Sequence, residues 1–418
     1  MLDRAGASPR SALVPGSKGF TFVMSMAMAA TALSIDSVLP AFPEIRSTLG
    51  LAGDSTAVAG LITVFLMGSS IGLLPAGLLA DRFGRRPVMW GGLLLFIVGA
   101  IGASFASSLT VMLIARFIWG LGSSGPRVAA MAMVRDVYAG EAMARQMSFI
   151  MAVFILVPTF APTISAGLLR IGPWQVVFLM CAVAAVVVAL MVFRLPETLA
   201  VAERRPLSGG DVLRSCRAVV GTSGTISYLV AMTALFGVFI AYLSSSEIIL
   251  DQVFDLKDWF PIFFGGMAIV MGIGMLLNGR IVERVGLDRL VGRLLLGYGA
   301  FGVALLVTAL ATDGRPPFWL FVTLLSGILF THGVLVPNIN AAAMRPLAQV
   351  AGTAAAILGM VPGLLGALIG SLINGAFDNS ITPLALGFVL SAVLAIVTFR
   401  LATSRSKVAE TEKFLLAR

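Results

Sequence analysis

Gly77-Leu-Leu-Ala-Asp-Arg-Phe-Gly-Arg-Arg-Pro-Val-Met89 is the stretch on which the fold turns. Apolar runs flank it over 57–79 and 88–107. Each is long enough to cross a bilayer, for which about 20 apolar residues suffice. Between them there is room only for a tight turn carrying Arg82, Arg85 and Arg86. The stretch also has an echo. Gly279-Arg-Ile-Val-Glu-Arg-Val-Gly286 repeats its two glycines, its acid and its following arginine at the end of another apolar run. Two copies at equivalent places predict an internal repeat.

Composition agrees with a chain that dissolves in lipid. Of 418 residues, 58% are hydrophobic and only 12% charged, with a mean hydropathy of +1.00. Soluble domains carry about a quarter charged residues, so this chain cannot cover itself for water. Apolar segments fall near 19–40, 57–79, 88–107, 109–133, 146–168, 174–194, 224–250, 261–280, 290–312, 316–340, 350–375 and 382–402. Backbone groups in lipid must bond within their own segment, so each is expected to be helical. The expected fold class is therefore an all-α membrane protein of twelve transmembrane helices. The longest polar interval divides it into a six-helix half over 1–194, a cytoplasmic linker over 195–223 and a second half over 224–418.

The formal charge of +9 would point to nucleic acid in a soluble chain. Here placement matters more than sum. With the amino terminus inside, the inner loops and tails hold 23 of the 29 basic residues, among them Arg4, Arg10 and Arg205. The outer loops hold Arg46, Arg170, Lys257 and Arg315. The bias predicts an inner-membrane protein with both termini cytoplasmic. Trp174, Trp259 and Trp319 begin segments where interfacial anchors belong. Cys181 and Cys216 make no metal spacing and no disulfide framework. With one histidine, no metal-ligand cluster and no phosphate loop, no enzyme and no cofactor is expected.

The stretch 77–89 resembles the loop signature between the second and third helices of the major facilitator superfamily. The resemblance implies a latch on the cytoplasmic face, with Gly77, Asp81, Arg82, Gly84 and Arg85 in the matching places. Leu113-Ile-Ala-Arg-Phe-Ile-Trp-Gly-Leu-Gly-Ser-Ser-Gly-Pro126 resembles the family's arginine-containing motif associated with proton coupling. Val157-Pro-Thr-Phe-Ala-Pro-Thr-Ile-Ser-Ala-Gly167 is similar to the antiporter motif of the fifth helix. Pro158, Pro162 and Gly167 remain there, while Ala161, Ser165 and Ala166 replace the usual glycines.

Asp36-Ser-Val-Leu-Pro-Ala-Phe-Pro, Val134-Arg-Asp, Leu195-Pro-Glu-Thr, Pro337-Asn-Ile-Asn and Ala351-Gly-Thr-Ala resemble the Bcr/CflA-like branch of twelve-helix drug:proton antiporters. The branch usually places an arginine near Met131, where this chain instead has Arg127 one turn earlier. It usually reads Ser-Pro at Ser246-Glu247. The resemblance implies proton-coupled export of a small amphipathic molecule, a drug or a metabolite, by a monomer whose coupling ion is the proton. The alternative is proton-coupled uptake by the same fold.

Asp36, Arg116, Arg127 and Glu247 lie within spans, where charge is costly and usually functional. In the family's fold the first and fourth helices of each half line the cavity. Asp36 and Arg116 are read as a proton-sensitive pair, because a carboxyl that moves between a guanidinium and an apolar surrounding binds and releases a proton. The plainer alternative is a static salt bridge. Glu247 is a second titrating acid, a counter-ion for the cargo, or part of an acidic rim with Asp251, Asp255 and Asp258. Arg127 together with Asn338 and Asn340 suits an anionic or zwitterionic group, unless Arg127 pairs with Asp136. His332 is a proton carrier or, more simply, a structural residue, and Trp119 touches substrate or packs.

Overall fold

The computed structural model describes residues 14–204 and 209–416, so Arg4, Arg10 and Arg205 lie outside the described residues. The first half comprises α1 (Lys18–Asp36), the short α2 (Phe42–Thr48), α3 (Gly60–Phe83), α4 (Arg85–Ser104), α5 (Leu109–Val137), α6 (Gly140–Leu168) and α7 (Gln175–Phe193). A helix α8 (Gly209–Gly221) occupies the linker. The second half follows with α9 (Ser223–Ile248), α10 (Phe260–Val285), α11 (Leu287–Ala311), α12 (Phe318–Met344), α13 (Ala351–Gly375) and α14 (Thr382–Leu416).

Eleven of the long helices contain a window apolar enough to cross a bilayer. The twelfth is α5, which carries Arg116 and Arg127 and packs against α3 and α4. The protein is thus a multi-pass membrane protein. Side chains such as Leu94, Val98, Leu390 and Val393 face outward without cover, as lipid contact requires. Small residues let α5 lie close to its neighbours. A Cβ on Gly125 would sit 2.8 Å from the Gly92 Cα, and one on Gly99 would sit 2.5 Å from the Trp119 backbone nitrogen.

The loops beside Arg85, Arg135, Arg194, Arg284 and Arg345 share one end of the bundle, here called the basic end. At that end α3 stops on Gly84 at φ 109° and α10 stops on Gly286 at φ 82°, and the next helix begins one residue later in both. The two echoing stretches therefore make the same turn. The halves meet where α3 packs on α13 and where α6 packs on α10.

Two expectations need correction. The segment expected over 19–40 leaves α-helical geometry at Asp36, because Pro40 has no N–H to bond the Asp36 carbonyl. Trp174 is not an interfacial anchor, for it is buried with its ring 5.4 Å from that of Phe178. Trp259 and Trp319 are exposed, as an anchoring role requires.

Candidate functional site

Between the halves lies a cavity of about 230 Å³, walled by α1, α3, α5, α6, α9, α10 and α12. Its lining is mostly apolar, with Met151, Met267, Met271 and Met275 beside Phe154, Phe236, Phe239 and Phe264. Its hydrogen-bonding side chains are Asp36, Arg127 and Tyr242. Asp36 is brought there by the end of α1, where the chain turns away through Pro40. It is 3% exposed and makes no ion pair among the described residues. The buried Tyr242 hydroxyl has no hydrogen-bond partner among the described residues. An acid and a phenol without a protein partner in an apolar wall are groups whose polar atoms call for one.

Arg116 does not pair with Asp36. Its guanidinium donates to the Ser34 carbonyl at 2.9 Å and to the Leu61 carbonyl at 3.1 Å. It also lies 4.6 Å from the Phe65 ring centre and 4.7 Å from that of Trp119. Aromatic faces attract a guanidinium, so the side chain points into the first half and away from the cavity. Trp119 goes with it. The indole is fully buried among Phe65, Phe96 and Phe178, and does not line the cavity.

Glu247 is neither in the cavity wall nor in a solvated rim. It accepts from Arg46 through both oxygens, at 3.1 Å and 2.5 Å, and both side chains are nearly inaccessible. Arg46 also donates to the Ser55 carbonyl at 3.0 Å. The pair joins α2 of the first half to α9 of the second at the end opposite the basic one. Sequence reading places Arg46 in an outer loop with no particular role; its signal is Glu247 itself, since an intramembrane charge calls for a partner.

Arg127 lines the cavity, is exposed to it, and carries the Phe154 ring 6.0 Å away. The alternative partner Asp136 is engaged elsewhere. Asn338 is buried outside the cavity lining and donates to Asn278 at 2.6 Å and to the Val334 carbonyl at 2.7 Å. Asn340 is exposed near the end of α12 but is not part of the cavity lining. His332 is buried behind the wall, stacked on Phe239 with ring centres 4.8 Å apart. Exposure rises from Asp36 to Arg127, so the cavity opens towards the basic end.

At that end three motifs converge. Arg85 bonds Asp81 and reaches Asp136 at 3.1 Å, and the Thr198 hydroxyl donates to the same Asp136 at 2.9 Å. Glu197 accepts from the Arg85 and Arg86 backbone nitrogens at 2.9 and 3.0 Å. Its carboxylate thus sits at the start of α4, where free N–H groups and the helix dipole favour an anion. Arg82 is exposed, and a side chain at Gly77 would meet nothing within 4 Å, so neither builds a close contact here. The expected latch closes within the first half, the linker included. Among the described residues, no hydrogen bond from 77–89 crosses to the second half.

In α6, Pro158 lines the cavity, and both Pro158 and Pro162 lie inside a helix that continues to Leu168. A Cβ on Gly265 of α10 would come 2.7 Å from the Thr159 carbonyl, so this proline segment is where the halves approach. Gly167 has open space around it and is not a packing position.

The sequence profile of the Major Facilitator Superfamily matches residues 23–371. A bicyclomycin resistance protein homolog of Haemophilus influenzae is 26% identical over 93% of this chain and 97% of its own length. The multidrug resistance protein MdtL of Salmonella agona is 27% identical over 91% and 94%. Among solved structures, the human organic anion transporter MFSD10 (TETRAN) is similar with a TM-score of 0.67, 20% identity, and coverage of 93% of this chain and 100% of that one. The xylose transporter XylE of E. coli, in a partially occluded inward open conformation, gives a TM-score of 0.68 at 14% identity over 92% and 98%. The last two are likenesses of fold.

Proposed function

The chain belongs to the major facilitator superfamily, and from that premise we propose that it is a proton-coupled exporter of small amphipathic molecules. It sits in a bacterial inner membrane with both termini in the cytoplasm, an orientation supported by the 23 basic residues of the inner loops and tails. The cavity then opens to the cytoplasm, and the Arg46–Glu247 pair seals the periplasmic side. The names of the relatives, which concern resistance to drugs, support export over uptake.

One observation carries the reading. Asp36 stands unpaired in a methionine- and phenylalanine-lined cavity between two halves that can rock. Such walls repack around varied apolar cargo. Asp36 exchanges a proton with the periplasm when that side opens, and its charge state biases which side is closed. Arg116 is a positioning residue that fixes the end of α1 through the Ser34 carbonyl.

The test uses everted vesicles with an acid interior. Adding a transported compound releases protons from wild-type vesicles and not from Asp36→Asn vesicles. Failure of every member of a panel of neutral, cationic and anionic amphiphiles to release protons overturns the exporter.

A further inference from the structure

The geometry points to a cargo that carries an oxyanion, with Arg127 as its binding partner. This rests on the reading of the same cavity as the cargo site. Arg127 projects from α5 into the wall and is exposed there. No acceptor among the described residues takes a hydrogen bond from it, and its guanidinium lies over the face of Phe154, 6.0 Å from the ring centre. The acid on its own helix, Asp136, lies nine residues on and is already bound by Arg85 and by Thr198. A guanidinium kept inside a membrane protein without a protein counter-charge is costly unless water or a ligand supplies one. Its planar fork matches a carboxylate, sulfonate or phosphate.

The one carboxylate in the wall lies elsewhere. By the rise of the two helices, Asp36 and Arg127 are separated by about 6 Å along the bundle. The Thr21 to Tyr138 contact at 3.3 Å marks the common level from which both are measured. Asp36 is therefore free to hold the proton while Arg127 holds the anion, with Met151, Phe154 and Met271 beside an apolar body. The charge balance follows. When a monovalent anion leaves as one proton enters, two unit charges move in the same electrical sense, so the membrane potential drives export together with the pH gradient.

Fluorescence titration of the purified protein with dansylate, a permanent anion, and with dansylamide, its neutral counterpart, tests the assignment. Wild type binds dansylate at least about tenfold more tightly. Arg127→Gln removes that preference and Arg127→Lys keeps part of it, with unfolding temperatures of both variants unchanged. Equal binding of the two probes, a preference that survives in Arg127→Gln, or binding of neither overturns the anion site. The exporter reading fails separately. If a neutral or cationic compound releases protons from vesicles while dansylate does not bind, export stands and the anion assignment falls. If dansylate binds through Arg127 and nothing releases protons, the anion site stands and the exporter falls.

Discussion

Arg116 fastens four helices, reaching from α5 to the Ser34 carbonyl of α1, the Leu61 carbonyl and Phe65 ring of α3, and Phe178 of α7. Asp36 ends the same helix α1 but holds no ion-pair partner among the described residues. The two residues therefore separate by experiment. Arg116→Lys replaces a planar fork with a point charge that cannot span both carbonyls or stack on the rings. It is expected to cost about 2–4 kcal/mol of stability, read as a lower unfolding temperature in detergent. Asp36→Asn is expected to leave that temperature unchanged and to abolish proton release. An Arg116→Lys protein as stable as wild type would return Arg116 to a coupling role. The sequence made both residues conspicuous because charge is rare in spans, yet not their separation. Whether a guanidinium meets a carboxylate or a carbonyl two residues earlier depends on where α1 breaks and which way α5 is rotated.

At the scale of elements, the turn at Gly84 shows how three motifs became one structure. Its φ of 109° suits glycine, and a Cβ there would also sit 2.5 Å from the Glu197 carboxylate. Gly286 has φ 82° and open space around it. Both glycines relieve backbone strain of about 1–3 kcal/mol, but only Gly84 makes room for a capping acid. Gly84→Ala should therefore lower the unfolding temperature more than Gly286→Ala, and Glu197→Gln should recover little of the difference because the amide occupies the same space. Equal losses would mean that the carboxylate yields freely. The turn, the crossings and the repeat were legible because apolar length and glycine placement are local properties. The helix α8 in the linker, the break of α1 and the burial of Trp174 were not, since each depends on what packs against a short segment. Tyr242 escaped notice for a similar reason. A tyrosine in an apolar run is unremarkable until its ring lines a cavity and its buried hydroxyl has no partner among the described residues.

For the molecule as a whole, the buried ion pair between the halves links residues 201 positions apart, and no local pattern announces it. Arg46 and Glu247 bind across the halves at the end away from the basic loops, whereas the Asp81–Arg85–Asp136 cluster stays within one half. The conformer is thus held shut on one side and left open on the other. Breaking a buried pair by removing one partner typically costs about 3–5 kcal/mol. Here the penalty is expected to fall on the conformer that contains the pair, because the pair joins one half to the other. A shift of that size changes a two-state ratio by more than about a hundredfold. Glu247→Gln should therefore open the cavity on the opposite side. The measurement is labelling of a Leu243→Cys reporter by an impermeant maleimide from the periplasm, in a background with Cys181 and Cys216 replaced by serine. Labelling should accelerate in Glu247→Gln and slow again in Arg46→Met/Glu247→Leu, where an apolar contact replaces the pair. Unchanged labelling in Glu247→Gln would show that helix packing closes that side without the pair. Rapid labelling in both would show that charge pairing, not mere contact, makes the seal.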